Sequence, residues 1–327
     1  MDADALDIAI LREMYRERAV NLAGIDPRLN ATQVAHRLRV GRARVAGRLK
    51  AWKESGFLRR YDVWVNPALL GWVGAWVAVR VDHPRLKADL FRRVGLVDGV
   101  VGGMEFLGDW VSIALVAPDE ATLARRADLL RGLAGVREVD APVPWRPASP
   151  KRPLTPLDLR IIRALRERPT ANLSETARRV GVSTRTMTRK YADLVSDWAV
   201  WFVPVFDFTC INQPVVSLNL LVQEDTPRDA VARTLRSRFP LVLDFSTVGA
   251  GPQLPSENQI FFVILRSAAS LEDLTHFVET IDGVRGVEPF VIVRMYAFHE
   301  WFDRHLATLF PPSATARERR RRPEPRQ

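Results

Sequence analysis

Two arginines four residues apart, Arg185 and Arg189, stand in a stretch that also carries Ser183, Thr184, Thr186, Thr188 and Lys190. On a helix, that spacing puts both guanidinium groups on one face. A guanidinium can donate two parallel hydrogen bonds to guanine O6 and N7, hydroxyls can meet bases or phosphates, and a helix N-terminus attracts phosphate through its free N–H groups. A second stretch, residues 33–50, has the same outline 142 positions earlier with no gap, and it offers Arg42, Arg44, Arg48 and Lys50. The chemistry that both stretches suit is recognition of double-stranded DNA.

Positioning such groups takes a helix, a tight turn and a second helix with one face buried and the other free to enter the major groove. Val45, Leu49 and Trp52 supply the buried face of the earlier second helix, and Met187, Tyr191 and Leu194 that of the later one. At 100° per residue the positions most opposed to that core are 43, 47 and 50, and 185, 189 and 192. The later helix therefore points Arg185 and Arg189 outward, with Ser183 as its N-cap. The earlier one presents Ala43, Gly47 and Lys50, flanked by Arg42, Arg44 and Arg48. A first helix precedes each pair, marked by Leu6, Ile10 and Met14 and by Leu157, Ile161 and Leu165 at i, i+4, i+8 spacing.

Charge agrees with this reading. The chain of 327 residues has a formal net charge of +10, and ten cations against one acid, Glu54, fall between Arg28 and Arg60. Clustered positive charge is the footprint of a polyanion partner. The longest uncharged apolar run, 68–79, is shorter than the roughly 20 residues that span a bilayer, and early aspartates spoil a signal peptide. A single cysteine, Cys210, builds neither an internal disulfide nor a thiolate metal site. The expectation is a cytoplasmic protein with no membrane contact, no metal and no cofactor.

Between and after the helical stretches the apolar period changes. Residues 72–81 and 100–107 read as strands, as do 110–117 and 136–143; 84–94 and 118–131 read as helices, and Gly108-Asp109 forms a hairpin turn. The same β-α-β-β-α-β order returns in 215–223, 227–238, 242–248, 259–266, 271–281 and 284–294. That order belongs to a ferredoxin-like sandwich. The predicted fold class is α+β: two copies of a winged-helix-like helix-turn-helix, each followed by a ferredoxin-like βαββαβ domain, as in a tandem duplication. The expected limits are 1–62 for the first helix-turn-helix domain, 63–145 for the first ferredoxin-like domain and 146–155 for a proline-rich linker. The second pair spans 156–204 and 205–310, and 311–327 forms a disordered basic tail containing Arg319 to Arg322. Two differences separate the copies: a longer connection around 20–30 in the first, and a 249–258 segment replacing the Gly-Asp turn in the second.

The motifs carry a resemblance. Leu6-Asp7 and Leu157-Asp158 in the first helices, Arg179-Val180-Gly181-Val182-Ser183, and the run from Glu54 to Tyr61 leading to Val65-Asn66-Pro67-Ala68-Leu69-Leu70-Gly71 resemble the Lrp/AsnC family of transcriptional regulators. The resemblance covers nearly the whole chain as two joined units. It departs at Gly41-Arg42-Ala43, where the family places a hydroxyl, and at Asp197 to Val200, where it places a glycine. It implies a sequence-specific DNA-binding regulator, not an enzyme, modulated by a small effector such as an amino acid. It also implies a homo-oligomer built on an internal pseudo-dimer. By the same resemblance, Gly108 and Asp109 border the effector site; as residues alone they make a tight turn.

Two other functions fit the same fold. Sirohaem decarboxylases resemble paired or fused units of this kind and place histidine and arginine around a tetrapyrrole, whereas the five histidines here lie in no Arg-Arg-rich strand context. His299-Glu300 with His305 misses zincin spacing. A protein-interaction scaffold deficient in DNA binding is the third reading.

Overall fold

The computed structural model describes residues 4–16, 31–145, 152–197, 199–239, 242–244, 258–298, 300–301 and 304–305. The expected long connection near 20–30, most of the proline-rich linker, nearly all of the 249–258 segment, the basic tail and His299 lie outside them.

Helices α1 (Ala5–Arg16), α2 (Ala31–Leu38) and α3 (Arg42–Glu54) close around Ile8, Ile10, Val34, Val45 and Trp52, all of which are buried. Helices α6 (Pro156–Glu167), α7 (Leu173–Val180) and α8 (Thr184–Ser196) close likewise around Leu159, Ile161, Leu165, Met187 and Leu194. Each three-helix unit leads into a strand, β1 (Leu58–Val65) and β7 (Val200–Phe206), and these two pair antiparallel, with Tyr61 opposite Pro204 and Trp64 opposite Trp201. This ribbon runs across the expected limits at 62/63 and 204/205. Its strands link the two halves of the chain because each carries backbone N–H and C=O groups that need partners.

The remaining strands form one antiparallel sheet. Strands β2 (Val73–Val81), β3 (Val100–Phe106), β4 (Trp110–Ala117) and β5 (Val136–Val139) lie in the order β5-β2-β4-β3. Strands β8 (Val215–Val222), β9 (Val242–Asp244), β10 (Asn258–Ile264) and β11 (Val284–Ala297) lie as β11-β8-β10-β9. The short β6 (Val143–Trp145) pairs with β2, so the first residues after the fourth strand extend the sheet before the proline-rich segment leaves it. β11 joins the halves: its first part pairs with β8, and after a register shift between Ile292 and Arg294 its last part pairs with β3. The strand therefore runs past the expected end at 294. Gly102 allows this close approach, since a Cβ there would lie 2.9 Å from the Tyr296 carbonyl, and Gly103 allows that of β4, since a Cβ there would lie 2.5 Å from the Ser112 carbonyl.

Alternation along the strands sends Ala75, Val77, Val79, Ile113 and Leu115 toward α4 (Lys87–Val94) and α5 (Glu120–Arg131). Val216, Leu218, Leu220, Phe261 and Val263 pack likewise with α9 (Arg228–Arg238) and α10 (Ser270–Glu279). The opposite strand faces look toward each other. Phe106 on β3 meets Phe290 on β11 at 4.9 Å between ring centroids.

The three-helix units share their cores with the strands. The core of the first continues into Phe206, Ile211, Val215 and Phe262 of the chain's second half, and the core of the second into Val63, Val65, Val101 and Val116 of its first half. Each unit thus packs chiefly on strands that lie distant in sequence.

Candidate nucleic-acid interface

The α6–α8 unit is built from caps and one buried carboxylate. Thr155 accepts from the Asp158 N–H at 3.2 Å, and Asp158 accepts from the Thr155 N–H at 2.9 Å, a reciprocal capping box that fixes the start of α6. The fully buried Asp158 carboxylate also receives Arg152 at 2.8 Å and Lys190 at 3.1 Å. Arg152 reaches on to Asp197 at 2.7 Å, so one guanidinium ties the start of the unit to the end of α8. Burial alone would raise the Asp158 carboxyl, yet hydrogen bonds from Arg152, Thr155 and Lys190 hold it well below the usual carboxylate range.

The turn into α8 follows from local chemistry. Asn172 caps α7 through the Glu175 N–H at 2.8 Å, and Gly181 takes φ 78° to end it. Ser183 then caps α8, accepting from the Thr186 N–H at 3.1 Å. Thr186 stands 3.0 Å from the Ser183 hydroxyl, and Thr188 donates to the Thr184 carbonyl at 2.9 Å. Those two hydroxyls are engaged within the helix. Arg185 and Arg189 are exposed, and neither makes an ion pair with a described residue; Thr184 is exposed beside them.

Lys190 does not join that surface. Its place in the sequence predicts a DNA contact, but it is turned inward onto Asp158 with its side chain 17% exposed. Its place on α8 faces α6, where a buried carboxylate needs a cation.

The α1–α3 unit has the same ground plan with poorer chemistry. Asp4 caps α1 through the Leu6 and Asp7 N–H groups, and Asp7 accepts from the Asp4 N–H at 3.0 Å. The buried Asp7 also accepts from the Trp52 indole at 2.8 Å and pairs with Arg48 at 3.5 Å. Arg48 is shared, since it binds Asp4 as well. Burial pushes the Asp7 carboxyl up, beyond what the Asp4 N–H, Trp52 and Arg48 offset, and the Asp4 charge adds to the rise. Arg48, like Lys190, is therefore spent on a carboxylate rather than offered to DNA.

The turn before α3 is less well made. Arg39 holds φ 54° where the second unit has Gly181, and Gly41 precedes α3 without a side-chain cap. Arg42 and Arg44 are exposed and form no ion pair with a described residue; Lys50 is exposed and meets Glu54 at 3.6 Å. Ala43 and Gly47 leave the middle of the helix face bare, with open space around the Gly47 Cα.

Behind both units, the β1–β7 ribbon is locked to the sheet by charge. Arg59 binds Asp207, which lies 3.8 Å from Arg294 on β11, and Arg294 lies 3.8 Å from Glu105 on β3. Burial would raise Asp207, but Thr209 and the two arginines lower it. Tyr296 donates to Glu105 at 2.9 Å, and burial together with that carboxylate pushes its hydroxyl up to about 12.

The Gly108-Asp109 hairpin is a tight turn with Gly108 at φ 84°. Asp109 is tied to β2 twice: its carboxylate accepts from Arg80 Nε at 2.7 Å, and its carbonyl from the Val81 N–H at 2.9 Å. The Arg80 hydrogen bond lowers its carboxyl. Neither Gly108 nor Asp109 lines the cavity between the facing strand surfaces. The neighbouring Trp110 does: with Trp76, Phe106 and Phe290 it walls this space of about 740 Å³. Among the described residues, no group of three or more His, Cys, Asp and Glu could hold a metal ion, and no helix is long and apolar enough to cross a membrane.

In the sequence, Asp7 and Asp158 stand out only as parts of a motif, and Arg152 and Thr155 do not stand out. A signal was present: in both units an acid three residues after the cap is matched by a cation at the same place on the third helix.

Residues 154–197 match the family described as winged helix-turn-helix DNA-binding. No curated protein matches the chain. Among solved structures, the chain is similar to the siroheme decarboxylase NirDL at 16% identity, over 95% of this chain and 98% of that one, with a TM-score of 0.49. It is also similar to an AsnC family transcriptional regulator from Agrobacterium tumefaciens, at 20% identity over 48% of this chain and 98% of that one, with a TM-score of 0.31. E. coli AsnC is similar at 14% identity, over 48% and 100%, with a TM-score of 0.31.

Proposed function

We propose that the chain is a sequence-specific DNA-binding transcriptional regulator of the Lrp/AsnC type, working in the cytoplasm and modulated by a small effector. The observation that carries this reading is the surface of α8: Arg185 and Arg189 lie one turn apart, exposed and without an ion pair to a described residue, on a capped helix within the winged helix-turn-helix match. Thr184 and the free N–H groups at the helix start add phosphate ligands beside them. Arg42, Arg44 and Lys50 on α3 add further positive charge, and Ser183, Thr186 and Thr188 shape the helix that presents the arginines. The chain is a tandem duplication in which each half holds a three-helix domain and a ferredoxin-like domain. The pairing of β1 with β7 and the matching strand orders support an internal pseudo-dimer, from which larger homo-oligomers are built.

The decarboxylase reading asks for histidine and arginine around a tetrapyrrole bearing many carboxylates. The described lining of the cavity between the facing strand surfaces contains neither residue type and holds two acids, Asp140 and Glu288. That favours the regulator.

The test is retention of host genomic DNA fragments by the full chain across a salt series. Counterion release predicts a steep linear fall of log affinity with log salt. A flat plot, or retention unchanged in an Arg185→Ala, Arg189→Ala double variant, overturns the reading.

A further inference from the structure

A cavity of about 740 Å³ lies between the facing strand surfaces, and its cause is visible in the strands. Ala78 lies opposite Ser112, and Ser217 and Asn219 alternate on the facing β8. Where a sandwich core normally interdigitates large apolar side chains, these rows are small or polar. Around them stand four large rings, Trp76, Trp110, Phe106 and Phe290. A volume of about 740 Å³ falls in the range of small-molecule sites.

The charge of the lining is selective. The chain carries a net charge of +10, yet the described lining has two carboxylates, Asp140 and Glu288, and no cation. Asp140 rides at the sheet edge beside Ala78, its N–H donating to the Ala78 carbonyl at 3.0 Å, and Glu288 pairs in register with Asn219 on β8. Both are exposed residues, so they flank the opening rather than the interior. Arg80, on the same strand face as Trp76 and Ala78, is outside the lining and committed to Asp109.

We propose that this cavity binds a small organic cation: an aromatic or bulky apolar body lying among the four rings, with its ammonium group held at the mouth by Asp140 and Glu288. Ring faces attract cations, and a carboxylate at the mouth can accept a charge-assisted hydrogen bond from an ammonium group. Burial and the neighbouring Glu138 already push the Asp140 carboxyl up, a condition that a bound ammonium group relieves. Among the described lining residues, an anionic ligand would meet only like charge. The inference rests on the regulator reading in one respect, since it names the effector class; occupation of the cavity stands without it.

The experiment is calorimetric titration of the full chain with matched pairs of probes: tryptamine against indole-3-propionate, and phenethylamine against 3-phenylpropionate. At least one amine binds, at least ten-fold more tightly than its matched acid. The double variant Asp140→Asn, Glu288→Gln, altered at exposed positions, binds that amine at least ten-fold more weakly. Ala78→Leu, which fills the space, removes binding. Equal affinity for amine and acid, an unchanged double variant, or no binding of either amine by the folded chain overturns the proposal. DNA retention is measured on the same preparation: its loss with amine binding intact counts against the regulator, and amine binding lost with DNA retention intact counts against the effector class.

Discussion

The two three-helix units share a plan and differ in how well each buried acid is answered. Asp158 receives Arg152, Lys190 and the Thr155 cap, while Asp7 receives the Trp52 indole and part of Arg48, with Asp4 nearby adding repulsion. Their carboxyls move in opposite directions, Asp158 down and Asp7 up. The same contrast runs through the helices that face outward. α8 starts from a serine cap and shows two exposed arginines with no ion pair to a described residue, whereas α3 starts from glycine and shows Ala43 and Gly47 at the matching places. A rigid frame holding bidentate donors suits base reading. A bare helix centre with cations near its start suits close approach to phosphates.

The largest expected break in this contrast is at the buried acids. Removing one partner of a buried ion pair costs about 3–5 kcal/mol, and because Arg152 and Lys190 reach solvent, Asp158→Asn should cost about 3 kcal/mol. Asp7→Asn keeps an oxygen for Trp52 and sheds an undercompensated charge, so its cost should stay under about 1 kcal/mol. Denaturant melts of both variants measure the difference, and equal costs would erase the distinction. The pH dependence follows with opposite signs. The lowered Asp158 carboxyl contributes stability present above the unfolded carboxylate pKa of about 3.9 and lost as pH falls through its folded value. The raised Asp7 carboxyl costs stability at neutral pH, and that cost fades as pH falls through its folded value. Mild acidification therefore relieves the first unit while the second still holds. Hydrogen exchange resolved by region, at neutral pH and near pH 5, would show protection in α1–α3 holding or rising relative to α6–α8.

Binding variants sharpen the comparison next. Losing a bidentate arginine contact to guanine costs about 1–3 kcal/mol at one base position, so Arg185→Ala should relax specificity there. Arg44→Ala should weaken all sequences alike and reduce the salt slope by about one. Competition with point-substituted sites separates the two; position-specific loss in Arg44→Ala would make α3 a reader too. The smallest effects are at the caps. Ser183→Ala should cost about 1 kcal/mol, and Gly41→Ser should gain only a few tenths, because glycine is already a tolerable cap.

Much of this arrangement was legible in residue order. The nearly unbroken apolar run over 72–81 located β2, and the Gly108-Asp109 pair located the hairpin between β3 and β4, because apolar patterning and turn chemistry are local. The outward direction of Arg185 and Arg189 followed from the buried Met187, Tyr191 and Leu194. Arg48 and Lys190 misled for the opposite reason. A cation on a helix flank looks available until the fold brings a carboxylate 32 or 41 residues away against it. The pairing of β1 with β7, the junction of β11 with β3, and the cavity between facing small residues are likewise products of tertiary placement that no local window contains.

The most direct test of unequal reading is selection of preferred sites from random DNA by the full chain. The predicted result is an asymmetric site, with base information concentrated in the half contacted by α8 and degraded there by Arg185→Ala. A perfect inverted repeat with equal information in both halves, unchanged in shape by Arg185→Ala, would contradict it.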